Sequence, residues 1–171
     1  VYTKVRPGLI CVDADEVTYP LHVILRYRLE TALLADDLSL DDLPGAWNDG
    51  MTALLNLTPL DDKDGCLQDI HWFDGAFGYF PSYTFGAITA AQLFRAATKT
   101  DPAILSEIQT GNFKPLYAWL GNHIHGKGSF LETPDLIRAA TGEELNADIF
   151  LKHLRDRYLA RSKDLRHRIQ A

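Results

Sequence analysis

The chain has 171 residues, 46% of them hydrophobic and 23% charged, with a formal net charge of −6 at neutral pH. That is ordinary globular composition, and the length predicts one core: a single domain over residues 1–171, or one lobe of something larger. The acidic balance argues against a nucleic-acid partner, whose phosphates need a basic surface, and no apolar run approaches the ~20 residues of a membrane helix.

The chain opens at Val1, inside what reads as a continuing segment with no initiator Met, so a trimmed chain or a piece of a longer protein is expected. Residues 1–10 read as an extended entry with a turn at Arg6-Pro7-Gly8. From Asp13 to about Ala35, Leu21, Ile24, Leu25, Leu29, Ala32 and Leu33 recur at helical spacing on more than one face, which predicts a largely buried helix. Pro20 removes a backbone donor and predicts a kink near Glu16–Tyr19. A second helix is expected after Ser39, with Asp41, Asp42 and Pro44 in its first turn, ending near Asn56. Thr58-Pro59 and the run from Asp61 to Gly65 read as a polar loop. Residues 65–80 hold three glycines and six aromatic rings counting His71, an unusual mixture for a regular element. Further helices are predicted over 81–98, 102–110, 113–125 and 133–141. A last one starts with Asn146 as N-cap and runs past Arg161. No stretch alternates with period two, so the class is all-α.

Three places carry groups capable of chemistry. In the aromatic segment, Gln68, Asp69, His71, Trp72, Tyr79 and Tyr83 set proton-bearing groups among bulky rings, and Gly75 and Gly78 permit unusual backbone shapes. Two readings stand: a loop plugging a helical core with His71 satisfied by a backbone carbonyl, or a functional loop. On the first helix, Asp15, Thr18, His22 and Arg26 are three or four residues apart and share one face. Such a line faces a cleft or holds a buried ion pair between Asp15 or Glu16 and a neighbouring base. His123 and His125 form an HxH pair, which ligates metal on a strand, but here they precede Gly126 and Gly128 and read as a helix end. Near the C-terminus Arg155, Arg157, Arg161, Lys163, Arg166 and Arg168, interrupted by Asp156 and Asp164, read as a solvated helix face. Cys11 and Cys66 give neither a disulfide framework nor a CxxC motif, so a reducing, cytoplasmic setting is expected.

Two stretches resemble signature motifs of the carboxypeptidase Taq family. Gly65-Cys66-Leu67-Gln68-Asp69-Ile70-His71-Trp72 fits the family pattern GxxQDxHW in full, and Ile10-Cys11-Val12-Asp13-Ala14-Asp15 fits IRxxAD except that Cys11 stands in the arginine's place. The flanks agree as well, among them KVRPGLI, DEVTYPLHVILR, LPGAWN and GYFPSYTFGAITAAQL. The resemblance implies a zinc-dependent metallocarboxypeptidase that removes C-terminal residues from peptides, often a homodimer, with the helical, neurolysin-like fold of a deep-clefted zinc peptidase. In the family the HExxH helix and the downstream glutamate that bind zinc precede the IRxxAD motif. The resemblance therefore places the metal site in a missing N-terminal half, and no metal is expected on this chain alone. What remains would be a wall of the substrate cleft. By analogy His71, with Tyr79 or Tyr83, would donate hydrogen bonds to the peptide or to the oxyanion. Gln68 and Asp69 would orient the loop or the substrate. With Cys11 offering no charge, Arg6 or Arg26 would meet a substrate carboxylate beside the motif acid Asp15. The other reading is a stand-alone, non-catalytic interaction module. Either way, a bared cleft wall predicts self-association.

Overall fold

The computed structural model describes residues 3–159, and among these every regular element is helical. A 3-10 turn over Cys11–Asp13 leads to α1 (Tyr19–Leu34) and α2 (Leu43–Leu55). After a long loop come α3 (Pro81–Thr100), α4 (Ala103–Gln109), α5 (Lys114–His123), α6 (Thr133–Thr141) and α7 (Ala147–Leu154), the last continuing as a π turn over Arg155–Leu159. The chain divides into two compact units, with the boundary between Phe85 and Gly86.

The largest departure from the sequence expectation is the start of α1. It begins at Tyr19 rather than Asp13, and Pro20 sits in its first turn instead of kinking an interior. The reason is local. The Asp15 carboxylate accepts the backbone N–H groups of Val17 (3.0 Å) and Thr18 (2.9 Å), closing a turn that competes with helix. Proline, having no N–H to lose, then suits the opening turn. The second helix likewise begins after Asp41 and Asp42, which lie just outside it. The 113–125 segment stops at His123, followed by a 3-10 turn over His125–Lys127. Asn146 caps α7 as expected, its side chain accepting the Asp148 N–H at 2.9 Å. Arg161, Lys163, Asp164, Arg166 and Arg168 lie outside the described residues.

In the first unit α1 packs on α2 through Leu25, Leu29, Leu43, Trp47, Met51 and Leu55, with Cys66 from the following loop. Trp47 and Met51 are fully buried. Gly50 lets the two helices approach: a Cβ there would stand 2.2 Å from Leu25 Cδ1. In the second unit Ala97, Ile104 and Trp119 form the core. The fully buried Gln92 ties α3 to the α6–α7 connection there. Its amide nitrogen donates to Thr141 Oγ1 (3.1 Å) and the Glu144 carbonyl (2.8 Å), and its oxygen accepts the Asn146 N–H (2.9 Å).

Candidate functional site

The site lies within the first unit and starts from a buried arginine. Arg26 has no exposed side-chain surface. Its guanidinium stacks over the Trp47 ring at 4.8 Å and donates in three directions: Nε to Asp69 Oδ2 (2.7 Å), Nη2 to Gln68 Oε1 (3.0 Å) and Nη1 to the His22 carbonyl (3.1 Å). Burying this cation is tolerable because the Asp69 carboxylate meets it directly and the remaining bonds satisfy much of its fork.

Gln68 is fully committed as well. Its amide nitrogen donates to the Leu9 carbonyl (3.1 Å) and the Asp64 carbonyl (2.8 Å), while its oxygen takes the Cys11 N–H (3.2 Å) beside Arg26. The two sequence motifs therefore meet: the glutamine of one holds the backbone of the other. Asp69 in turn holds His71, accepting its backbone N–H at 3.1 Å and its Nδ1. Burial works to raise the Asp69 pKa, but the hydrogen bonds from His71 and Arg26 outweigh it and hold the carboxyl below its usual range.

His71 Nε2 meets the Tyr83 hydroxyl at 2.8 Å, Tyr83 standing in the first turn of α3. The Tyr79 ring stacks on the imidazole at 5.4 Å, and Tyr83 lies edge-on to it at 5.6 Å. The result is a chain Arg26–Asp69–His71–Tyr83 running from the core to the surface. An ionised carboxylate only accepts, so His71 Nδ1 carries a hydrogen, while Nε2 either accepts the Tyr83 O–H or donates its own hydrogen to the Tyr83 oxygen. In the second arrangement the phenol hydrogen is free to point outward. Burial pushes the Tyr83 phenol pKa up, which keeps that hydrogen on oxygen at neutral pH.

These groups line a cavity of about 330 Å3 with mostly apolar walls, among them Ile10, Val12, Val23 and Phe80, joined by Cys11, Tyr19, Arg26, Asp69, His71 and Tyr83. Burial raises the Cys11 pKa against the opposing effect of Arg26, so the thiol stays protonated. Tyr19 is pushed up to about 12, first by burial and then by Cys11 and Tyr83.

The other sequence candidates lie elsewhere. Arg6 is exposed and outside the cavity lining; its contribution is a backbone N–H to Asp15 Oδ2 at 2.7 Å. Asp15 is a turn-former whose pKa falls because the backbone N–H groups of Arg6, Thr18 and Val17 outweigh the burial that would raise it. The buried ion pair on α1 is therefore Arg26 with Asp69, and Asp15 is held by backbone N–H groups. His22 is fully buried, and its ring nitrogens fall outside hydrogen-bond geometry. Burial first, and Arg26 second, lower its pKa to about 4, against the Gly8 backbone and Asp15, which favour the charged ring. His123 stacks on Trp119 at 4.4 Å, with Nδ1 on the Trp119 carbonyl at 2.9 Å. Among the described residues no group of three or more His, Cys, Asp or Glu side chains is placed to hold a metal ion.

One participant escaped the sequence reading. Glu30, 3% exposed, lies four residues beyond Arg26 and continues the polar line of α1 by one more turn. That spacing was the available signal.

Comparison with known proteins identifies the family. Residues 1–158 match the model of the carboxypeptidase Taq (M32) metallopeptidase family. The chain is 42% identical over 153 residues to carboxypeptidase 1 of Bacillus subtilis, covering 90% of this chain and 30% of the relative. It is 43% identical to thermostable carboxypeptidase 1 of Thermus thermophilus, with 91% and 31% covered. Trypanosoma cruzi metallocarboxypeptidase 1 superposes with a TM-score of 0.88 at 42% identity, covering 92% of this chain and 33% of that one. The chain thus spans about a third of the length of the relatives it matches. It belongs to the carboxypeptidase Taq (M32) metallopeptidase family.

Proposed function

We propose that this chain is the substrate-side wall of a metallocarboxypeptidase that releases C-terminal residues from peptides, working with the remaining two thirds of the family's length. The single observation that carries the reading is the His71 imidazole, bridged between Asp69 and the Tyr83 hydroxyl at the edge of a largely apolar cavity. The family is a metallopeptidase by description. We take the metal to be zinc, the setting to be cytoplasmic and the assembled enzyme to be a homodimer. The described residues do not fit a metal ion, so its ligands are assigned to the part of the relatives that this chain does not span.

What this chain supplies is hydrogen bonding. In peptide hydrolysis negative charge grows on the carbonyl oxygen, and a donor already fixed in place stabilises it without reorganisation. Tyr83 is that donor when His71 Nε2 supplies the hydrogen of their shared bond and leaves the phenol hydrogen free, and Asp69 with Arg26 fixes the imidazole. Tyr79 covers one face of the imidazole. A terminal substrate carboxylate has no free partner in Arg26, whose charge is neutralised by Asp69; the exposed Arg6 remains the open cation of the two. Co-expression of this chain with the N-terminal two thirds of the Bacillus subtilis relative, followed by assay of residues released from peptides with free C-termini, tests the reading. Release is expected, and Tyr83→Phe should lower kcat/KM on the order of 100-fold. No association and no release, or full activity in Tyr83→Phe, would overturn it.

A further inference from the structure

Glu30 accepts two hydrogen bonds from the loop that carries His71. Its Oε2 takes the Trp72 indole N–H at 2.9 Å and its Oε1 takes the Gly78 backbone N–H at 2.6 Å. Among the described residues it pairs with no lysine or arginine, though it is buried. A buried carboxylate held by neutral donors alone is a costly choice for stability. Its chemistry explains the choice. A carboxylate has two acceptor oxygens, one for each N–H. Glutamine has one oxygen, and its NH2 would confront a donor with a donor.

The placement of the two bonds matters more than their number. Arg26, one turn earlier on α1, holds Gln68 and Asp69. Glu30 holds Trp72 and Gly78. His71 lies between these anchors, with one helix face gripping the chain on both sides of it. Residues 70–76 close on themselves through Asp74 N–H to the Ile70 carbonyl (2.9 Å) and Ala76 N–H to the His71 carbonyl (2.8 Å), which ties His71 to its neighbours in the loop. Gly78, at φ +78°, turns the chain toward Phe80 and α3, where Tyr83 stands five residues on. The imidazole and the phenol thus hang from opposite ends of one carboxylate.

We propose that Glu30 is a positioning residue that sets the separation and angle of the His71–Tyr83 pair by tying the entry of the loop to one oxygen of its carboxylate and the exit to the other. The proposal rests on the reading of that pair as the working group of the site. An error of about 1 Å in such a pair costs up to roughly 100-fold in rate, so the carboxylate acts on the chemistry without touching substrate.

The test uses the 171-residue chain labelled with 15N, read at the His71 ring nitrogens and the Trp72 indole N–H. In Glu30→Gln the indole N–H should exchange with water, and the His71 Nε2 resonance should move toward that of an imidazole without a phenol partner, with helical circular dichroism kept. Trp72→Phe, which removes one bond and keeps an aromatic ring, should move His71 Nε2 the same way by less; it decides the matter if Glu30→Gln fails to fold. Unchanged His71 ring resonances in a folded Glu30→Gln, or in Trp72→Phe, overturn the proposal. In the co-expressed enzyme Glu30→Gln should lower kcat roughly 10- to 100-fold with KM little changed. Full activity in Tyr83→Phe would instead sink the role of the pair and leave the loop geometry, read by resonance, standing.

Discussion

Both compact units bury polar side chains, but of different kinds. Up to Phe85 the buried set includes a cation, a carboxylate and an imidazole: Arg26, Glu30 and His22. Beyond Gly86, among the described residues, it is the neutral amide of Gln92. A neutral amide links segments at modest cost, because its donors and acceptor are all met by backbone and hydroxyl groups. Charges buried in a packed unit demand strict partners and penalise any loss of one. The first unit accepts that penalty around a single loop, the one that presents His71, whereas the second uses its buried polar group to join helices. The comparison teaches that the two units place their buried polar groups differently: the first pairs Arg26 and Glu30 with the loop that carries His71, the second joins helices through Gln92.

Removing the centre of the charged network should have the largest effect. Arg26→Met keeps much of the side-chain volume but leaves the Asp69 carboxylate, 10% exposed, without its cation. A loss of about 3–5 kcal/mol is expected in urea denaturation followed by tryptophan fluorescence. A cost no greater than that of the Gln92 change described below would break the contrast between the units.

Acid should distinguish them next. Folding lowers the His22 pKa from 6.5 to about 4, so the unfolded chain binds the proton more readily than the folded one. The contribution is complete above pH 6.5 and is lost as pH falls toward 4, up to about 3 kcal/mol. Asp69 and Asp15, both lowered from 3.8, act in the same direction at still lower pH. Residue-resolved hydrogen exchange at pH 7 and pH 5 should show protection falling first in residues up to Phe85, and His22→Leu should flatten that fall. Equal loss in both units would contradict it.

The smallest of the three belongs to the second unit. Gln92→Leu strips the Asn146 N–H and the Glu144 carbonyl of their partner. About 1–3 kcal/mol should be lost, with the His71 ring resonances unmoved. A shift at His71 would show that the two units share a network.

Much was legible in the residues themselves. Helical periodicity and capping chemistry identified the helices, and Asn146 as N-cap marked the start of α7. The motif around Gln68–Trp72 announced the family. These are local signals, fixed by spacing and by side-chain type. The start of α1 was misread because the Asp15 side chain competes with the helix for backbone donors, and periodicity does not register such a bond.

The sequence by itself determined an all-helical chain of one peptidase family, with a histidine among tyrosines and a polar line along its first helix, because each depends on residues within a few positions of one another. Which polar groups meet was decided by the tertiary structure. Arg26 reaches Asp69 across 43 residues, Glu30 reaches Gly78 across 48, and Gln68 reaches the Cys11 backbone across 57. Such pairings follow from how α1 packs under the loop, and packing is a property of the folded chain rather than of any window of its sequence.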